Sequence, residues 1–240
     1  MALPPDRNSL IALLDEDLRQ EFESHLNVFD FDLGHIFSEP GDLVKYIYFV
    51  DSGVISAVSL MDTGQTVEAY MVGREGFTGA TAWLIPFRSP VRYVAQMAGS
   101  ARRIDAAQFR EFANGNLRLR EIMAAYDAAL HAELAQSGPC NVVHRTDQRL
   151  AKWLLRAHDR ADSDTLHMTQ EFVGAMLGVQ RTTVNLIAQT LASTGAIQYL
   201  RGKIVVKSRA RLERLACECY DAGKSVADRR QTQNPDLAPV

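Results

Sequence analysis

The chain has 240 residues, 47% of them apolar, with a formal charge of −3 at pH 7. That is core material for one large domain or two ordinary ones, and no run of about 18 uncharged apolar residues exists to cross a bilayer. The N-terminal MALPPDRNSL has no apolar signal core, so a cytoplasmic protein is expected.

The charge is unevenly placed. Residues 1–140 carry 11 basic and 19 acidic side chains, whereas residues 141–240 carry 15 and 10. A near-neutral total therefore does not exclude nucleic acid, because only the second part needs to touch it. The three cysteines, Cys140, Cys217 and Cys219, are a sparse, odd set that suits a reducing compartment. Cys217 and Cys219 fall on an expected helix over Arg209–Tyr220, where they would point about 200° apart and could not share a metal. No metal and no cofactor are expected from this set.

In chain order, Leu14, Leu18, Phe22 and Leu26 recur every four positions and mark a helix over Asp15–Leu26. The period then drops to two. Strands are expected over Val28–Phe31, His35–Phe37, Tyr46–Asp51, Val54–Leu60, Thr66–Val72, Tyr93–Met97 and Ala101–Ile104. Pro40-Gly41-Asp42, Ser52-Gly53, Asp62-Thr63-Gly64 and Gly73–Gly76 read as turns between them. Short strands with regular glycine turns predict an antiparallel roll.

After Asp105 the period lengthens again. Ala106–Ala113 predicts a short helix, and Asn116 starts a long one with Leu119, Ile122, Met123, Tyr126, Leu130 and Leu134 along one side. This stripe either packs back on the roll or meets its own copy. We take Leu119, Met123, Tyr126, Leu130 and Leu134 as a dimer interface. Ser137-Gly138-Pro139 should interrupt the helix, placing a hinge between Ser137 and Thr146. A new helix starts at Thr146-Asp147, with Leu150, Trp153, Leu154 and Ala157 inward, and Asp159–Asp164 is a polar loop.

The stretch Met168–Val206 reads as two helices, a tight turn and a two-strand hairpin. Thr169 caps the first helix, and Gly178 breaks it. The second carries Val184, Ile187, Ala188 and Leu191 at helical spacing. Small Gly174 at the crossing, Gly178 in the turn and Val184 as anchor fit a helix-turn-helix. Ile197–Leu200 and Lys203–Val206 form its wing around Arg201-Gly202. The outer face of the second helix offers Gln180, Arg181, Thr182, Thr183, Asn185 and Gln189 and no acid. From Arg181 to Arg214 lie seven Arg and Lys (Arg181, Arg201, Lys203, Lys207, Arg209, Arg211, Arg214) against Glu213 alone. Such a surface suits a phosphate backbone, because neutralised phosphates release condensed counterions.

The order of roll, long helix, hinge and winged helix-turn-helix resembles the Crp/Fnr family of bacterial transcription regulators, that of the cyclic-AMP receptor protein and the fumarate–nitrate reductase regulator. The resemblance runs over about residues 14–220. It is carried by TDQRLAKWLL (Thr146–Leu155), by the helix-turn-helix, and in the roll by EPGD (Glu39–Asp42), DSG (Asp51–Gly53) and GREGFTG (Gly73–Gly79). It implies an α+β fold: an antiparallel roll of the cyclic-nucleotide-binding type over 1–115, a dimerisation helix and hinge over 116–144, a winged helix-turn-helix over 145–222, and a disordered tail over 223–240.

The resemblance further implies a homodimer on double-stranded DNA with an inverted-repeat operator, and contact with RNA polymerase. Base contacts are expected from Gln180, Arg181, Thr182 and Asn185, and phosphate contacts from Thr169, Gln170, Thr183, Arg201 and Lys203. Two departures matter. The family's cyclic-nucleotide cassette, FIGE followed later by Arg-Ser or Arg-Thr, is here Phe77-Thr78-Gly79-Ala80 followed by Pro90-Val91, leaving a degenerate effector site of Ala80, Arg88, Pro90, Val91 and Arg92. On the reading helix, Thr182 stands where relatives have Glu and Leu186 where they have Arg, which implies a different operator. No cysteine precedes Cys140, so a clustered-cysteine iron–sulfur sensor is excluded, and His25 and His35 read as plain surface residues, not haem ligands. No catalytic motif such as a P-loop, GxGxxG or HExxH appears, so an enzyme is not expected. The alternative is a ligand-sensing subunit whose winged domain makes protein contacts only.

Overall fold

The computed structural model describes residues 8–221, and the tail expected over 223–240 lies outside them. Helix α1 (Glu16–Ser24) starts where Asp15 accepts from the Leu18 amide at 2.9 Å. The roll follows, with β1 (Asn27–Phe31), β2 (Ile36–Ser38), β3 (Tyr46–Leu60), β4 (Thr66–Val72) and β5 (Arg92–Asp105). All pairings are antiparallel, in the order β1-β5-β3-β4, with β2 also on β5.

Here one expected turn, Ser52-Gly53, and one expected strand break, between Met97 and Ala101, are absent. Tyr46–Asp51 and Val54–Leu60 are one ribbon, as are Tyr93–Met97 and Ala101–Ile104. Ser52-Gly53 is a bulge: the register against β5 slips between Val50 and Ile55 and then resumes. A glycine inside a strand marks such irregularities as readily as it marks a reversal.

Apolar side chains alternate into the roll, where Phe22, Phe49 and Phe109 meet with ring centroids 5.4–5.6 Å apart. The chain's first described residue is fixed to this core. Asn8 is fully buried and donates to the Val50 and Gly76 carbonyls at 2.9 and 2.7 Å.

Helix α2 (Ala106–Gly115), capped by Asp105, leads into α3 (Leu117–Val143). Two expectations about α3 fail. It runs through Ser137-Gly138-Pro139 without a break. Pro139 leaves the Ala135 carbonyl without its N–H, but Ala135, Gly138 and Pro139 all face solvent, where water can serve that group. The helix ends instead at His144, and only His144-Arg145 separate it from α4 (Thr146–Arg160).

The second failure is the dimer seam. Leu119, Met123, Tyr126 and Leu130 are buried against the roll of the same chain, 9% exposed at most, and only Leu134 of the proposed set remains exposed. The roll presents Phe77 and Trp83 on that side. Phe77 packs 4.7 Å from the Tyr126 ring, and Trp83 Nε1 donates to Asp127 at 2.8 Å, so the stripe is consumed within the protomer.

The second domain is α4, β6 (Thr165–His167), α5 (Gln170–Leu177), α6 (Arg181–Ser193), β7 (Ile197–Leu200), β8 (Lys203–Val206) and α7 (Arg209–Leu215). Strand β6 was not foreseen, and it makes the wing a three-stranded sheet, β6-β8-β7. Three residues between loops are too few for a period to show. Helix α7 stops at Leu215, not Tyr220, because Ala216 turns extended (φ −74°, ψ 156°). Cys217 and Cys219 therefore do not diverge on a helix; both are buried in one cluster with Cys140.

The domains share an apolar seam. Val54, Val58 and Met71 of the roll join the core of Leu150, Leu154, Val173 and Met176. Around it Trp153 Nε1 donates to Glu68 Oε1 at 2.7 Å, Arg160 pairs with Glu75 at 2.8 Å and Arg74 with Asp162 at 2.6 Å.

Candidate nucleic-acid interface

Helix α5 begins with Thr169 accepting from the Phe172 amide at 3.1 Å and ends at Gly178 in the left-handed region (φ +67°). At Gly174 a Cβ would lie 2.8 Å from the Val179 carbonyl oxygen, so only glycine lets the turn fold under α5. Val184, fully buried, anchors α6 beneath it. This packing turns the opposite face of α6 outward. Gln180, Arg181 and Thr182 are exposed, Thr183 and Asn185 half-buried, and Leu186 is exposed beside them.

The polar side chains there hold one another. Arg181 Nε donates to Gln170 Oε1 at 3.0 Å, and Gln170 Nε2 donates to Asn185 Oδ1 at 3.3 Å. Gln170, expected only to touch phosphate, thus orients Arg181 and Asn185 from the first helix. Sequence spacing offered no signal for this, since the two helices cross only in space. Thr169 keeps its hydroxyl on the cap, at the exposed start of α5. Arg201 and Lys203 stand exposed on the β7–β8 turn, held by the Met168 amide on the Gly202 carbonyl at 3.0 Å.

The basic strip is narrower than the count from Arg181 to Arg214 implied. Arg209 turns inward to Asp159 at 2.6 Å and Glu213 at 3.0 Å, and Arg211 donates to the Thr194 carbonyl at 3.0 Å. Arg181, Arg201, Lys203, Lys207 and Arg214 remain on the outer surface.

In the roll, Arg88 and Arg92 are both tied to the Glu39–Asp42 turn. Ala80 is a non-glycine residue at positive φ (+39°), starting a short 3-10 turn over Ala80–Trp83. Arg88 donates to the Gly41 carbonyl at 2.7 Å, and Arg92 pairs with Glu39 at 2.8 Å. Pro90 faces solvent and Val91 is buried. Between β4 and β5 the hydroxyls of Tyr70 and Tyr93 bond to each other, and burial raises both above the usual phenol range. A cleft of about 270 Å³ lies beside them, lined by Phe37, Asp42, Lys45, Tyr48 and Thr78 among others.

On α3, the face away from the roll is bare. Leu117, Glu121, Ala124, Ala128, His131, Ala135, Gly138 and Val142 are all exposed and follow one another at alternating steps of four and three. The helix is apolar on both sides but covered on one.

Comparison with known proteins agrees with this layout. Residues 29–116 match the model of the cyclic nucleotide-binding domain, and residues 148–215 that of the Crp-like helix-turn-helix domain. No curated protein matches the chain. Among solved structures, FixK2 from Bradyrhizobium japonicum is 18% identical with a TM-score of 0.68, over 80% of this chain and 98% of its own. A putative regulator of the Crp/Fnr family from Eubacterium rectale is 18% identical with a TM-score of 0.67, over 86% and 96%. The c-di-GMP-responsive regulator CLP from Xanthomonas campestris is 14% identical with a TM-score of 0.65, over 81% and 100%. With the roll and the helix-turn-helix matched in this order over well over half its length, the chain belongs to the Crp/Fnr family of DNA-binding transcription regulators.

Proposed function

We propose that the protein acts as a homodimer on an inverted-repeat operator, and that it does so without cyclic AMP. The observation that carries this reading is the acid-free outer face of α6, with Arg181 and Asn185 held at its N-terminal half and the basic wing beside it. Arg181 can take guanine O6 and N7 together, and Asn185 can pair with adenine. Arg201 and Lys203 on the wing, with Thr169 and Thr183, hold the phosphates.

The bare face of α3 supports the dimer. Steps of four and three make one seam along a helix, and its alanines and Gly138 let a second backbone approach closely. A parallel two-fold pair sets both reading helices at the same end, in successive major grooves. The seam has thus moved round the helix from Leu119, Met123, Tyr126 and Leu130, which face the roll.

Independence from cyclic AMP rests on the roll. A buried cyclic phosphate needs a cation, and both nearby guanidiniums are engaged by Gly41 and Glu39. Desolvating an anion without one costs several kcal/mol. The DNA-bound dimer then meets RNA polymerase as its target.

Selection of operators from random DNA, followed by gel shifts with and without cyclic AMP, tests the whole reading. The expected result is an inverted repeat with half-sites about 10 bp apart or a multiple, bound equally well in both conditions. Recovery of direct repeats or single half-sites rejects the dimer geometry, and tightening by micromolar cyclic AMP rejects the independence.

A further inference from the structure

Where α3 ends, four side chains come together from opposite ends of the second domain. Cys140 lies on the last turn of α3 and His144 caps it, its amide donating to the Cys140 carbonyl at 3.2 Å, which puts the two one turn apart on one side of the helix end. Cys217 and Cys219 arrive from the segment after α7, Cys217 just past extended Ala216 and Cys219 where the chain turns helical again at 219–221. Their four potential ligand atoms all lie within 4.8 Å of one another, and the three cysteines are buried. The failure of both sequence expectations creates this cluster. Had α3 broken at Pro139, Cys140 and His144 would not share one side of the helix end. Had α7 run on to Tyr220, the other two sulfurs would diverge.

Two of the spacings are those of a tetrahedral site, within a cluster that spans up to 4.8 Å. Zinc bonds of about 2.3 Å to sulfur and about 2.0 Å to nitrogen set edges of roughly 3.8 Å between sulfurs and roughly 3.5 Å from sulfur to nitrogen. Here Cys140 Sγ lies 3.7 Å from Cys217 Sγ, and Cys219 Sγ lies 3.6 Å from His144 Nδ1. A disulfide between Cys140 and Cys217 would require those sulfurs to close to about 2.05 Å, and it would leave Cys219 and His144 unexplained.

The surroundings fit a metal as well. His144 turns Nδ1 to the sulfurs, while its Nε2 lies 3.0 Å from Glu218 Oε1. A carboxylate taking the far N–H fixes the tautomer and leaves the near nitrogen's lone pair free to bind. Gln136 Nε2 donates to Cys219 Sγ at 3.1 Å, and Lys152 Nζ to Cys140 Sγ at 3.0 Å. Three thiolates around a divalent ion carry a net negative charge, which the Lys152 ammonium offsets. His144 and the exposed Glu218 lie at the rim, which gives an entry path.

We infer that Cys140, His144, Cys217 and Cys219 form a zinc site that pins the joint between α3 and the DNA-binding domain. Binding releases the thiol protons to solvent and needs no electron transfer. A soft set of three thiolates and one imidazole in tetrahedral array favours Zn²⁺ over the harder divalent ions. One bond pair from α3 and one from beyond α7 tie the helix end to the far end of the domain that follows it.

The test uses the full chain, purified under reducing conditions without chelator. Elemental analysis should give about one zinc per chain, and the native thiols should react with a disulfide reagent only after a chelator strips the metal. Replacement by Co²⁺ should give sulfur-to-metal charge-transfer bands and the visible bands of a tetrahedral ion. His144→Ala and Cys219→Ser should lose most of the bound metal. The wild-type cobalt spectrum and thiol count decide the matter even if these variants misfold. Amide exchange at residues 143–146 should quicken on chelation. A metal-free protein with all three thiols reactive at once, an octahedral cobalt spectrum, or a native Cys140–Cys217 disulfide overturns the site. Unchanged exchange on metal loss overturns its pinning role.

Discussion

Trp153 of the DNA-binding domain donates its indole N–H to Glu68 of the roll at 2.7 Å, across the seam between the domains. Burial is the largest influence on that carboxyl and raises it from 4.5 to about 7, against the opposing pull of Ser56, Trp153, Arg160 and Arg156. Ser56 Oγ lies 2.7 Å from both Glu68 Oε2 and Gln96 Oε1, and one hydroxyl hydrogen can serve only one of them. A protonated Glu68 donates to Ser56, which then donates to Gln96. Because the folded value lies above the unfolded one, the stabilisation is fully present below about 4.5 and is lost as pH rises through about 7. Thermal unfolding should therefore show wild type losing stability between pH 5 and pH 8, relative to a Glu68→Gln variant that lacks this titration. Parallel pH profiles for the two proteins count against it.

Arg181 and Lys203 should fail differently. Arg181→Ala should cost about 1–3 kcal/mol of operator affinity and relax preference at one base pair. Lys203→Ala should weaken all sequences alike and reduce the salt slope by roughly one. Affinity across an operator mutant panel, at several salt concentrations, separates the two. If Arg181→Ala weakens every sequence equally, Arg181 holds only phosphate. Gln170→Ala should reproduce part of the Arg181→Ala loss of preference, since it frees the guanidinium it now orients.

The two faces of α3 should separate folding from assembly. Met123 is 1% exposed against the roll, so Met123→Ala should destabilise the protomer by about 2–5 kcal/mol while leaving a dimer at concentrations where it folds. Ala128, on the bare face, should tolerate its substitution within the protomer, yet Ala128→Glu should convert dimer to monomer in sedimentation. A dimer that survives Ala128→Glu and dissociates with Met123→Ala would falsify the assignment of faces.

Gly174→Ala tests the helix crossing. Its Cβ would press to 2.8 Å on the Val179 carbonyl, and a backbone atom in a closed turn cannot move aside as a side chain can. A loss of about 1–3 kcal/mol is expected, with operator affinity falling as α6 shifts. Calorimetry showing no change would mean that the turn relaxes freely.

Much of this was legible in the sequence where one segment's own period decides the outcome. The helix-turn-helix shows through Gly174, Gly178 and Val184, because the apolar pattern and the breaker residues act within a few positions of each other. The strands show through alternation, although Ser52-Gly53 read as a turn because a bulge and a reversal use the same residues. What stayed hidden depends on which face finds a partner. The Leu119–Leu130 stripe and the alanine stripe are both apolar, and only the roll's Phe77 and Trp83 settle which is covered. Likewise Gln170 and Arg181 meet across a crossing that no single period encodes, and Cys217 and Cys219 converge because one residue, Ala216, leaves the helix.

The short link of His144 and Arg145 has a mechanical consequence. Each residue contributes only φ and ψ as soft torsions, and both here are extended. With a continuous rod before it and a helix directly after, such a link would let the head swivel about a nearly fixed point, but not slide along the rod, once the seam with Val54, Val58 and Met71 opens and the Cys140–Cys219 cluster lets go. Reorientation of the reading helix must then trace an arc centred near Arg145. The groove it can reach is set by the lever arm from that pivot to α6, not by any slack in the chain.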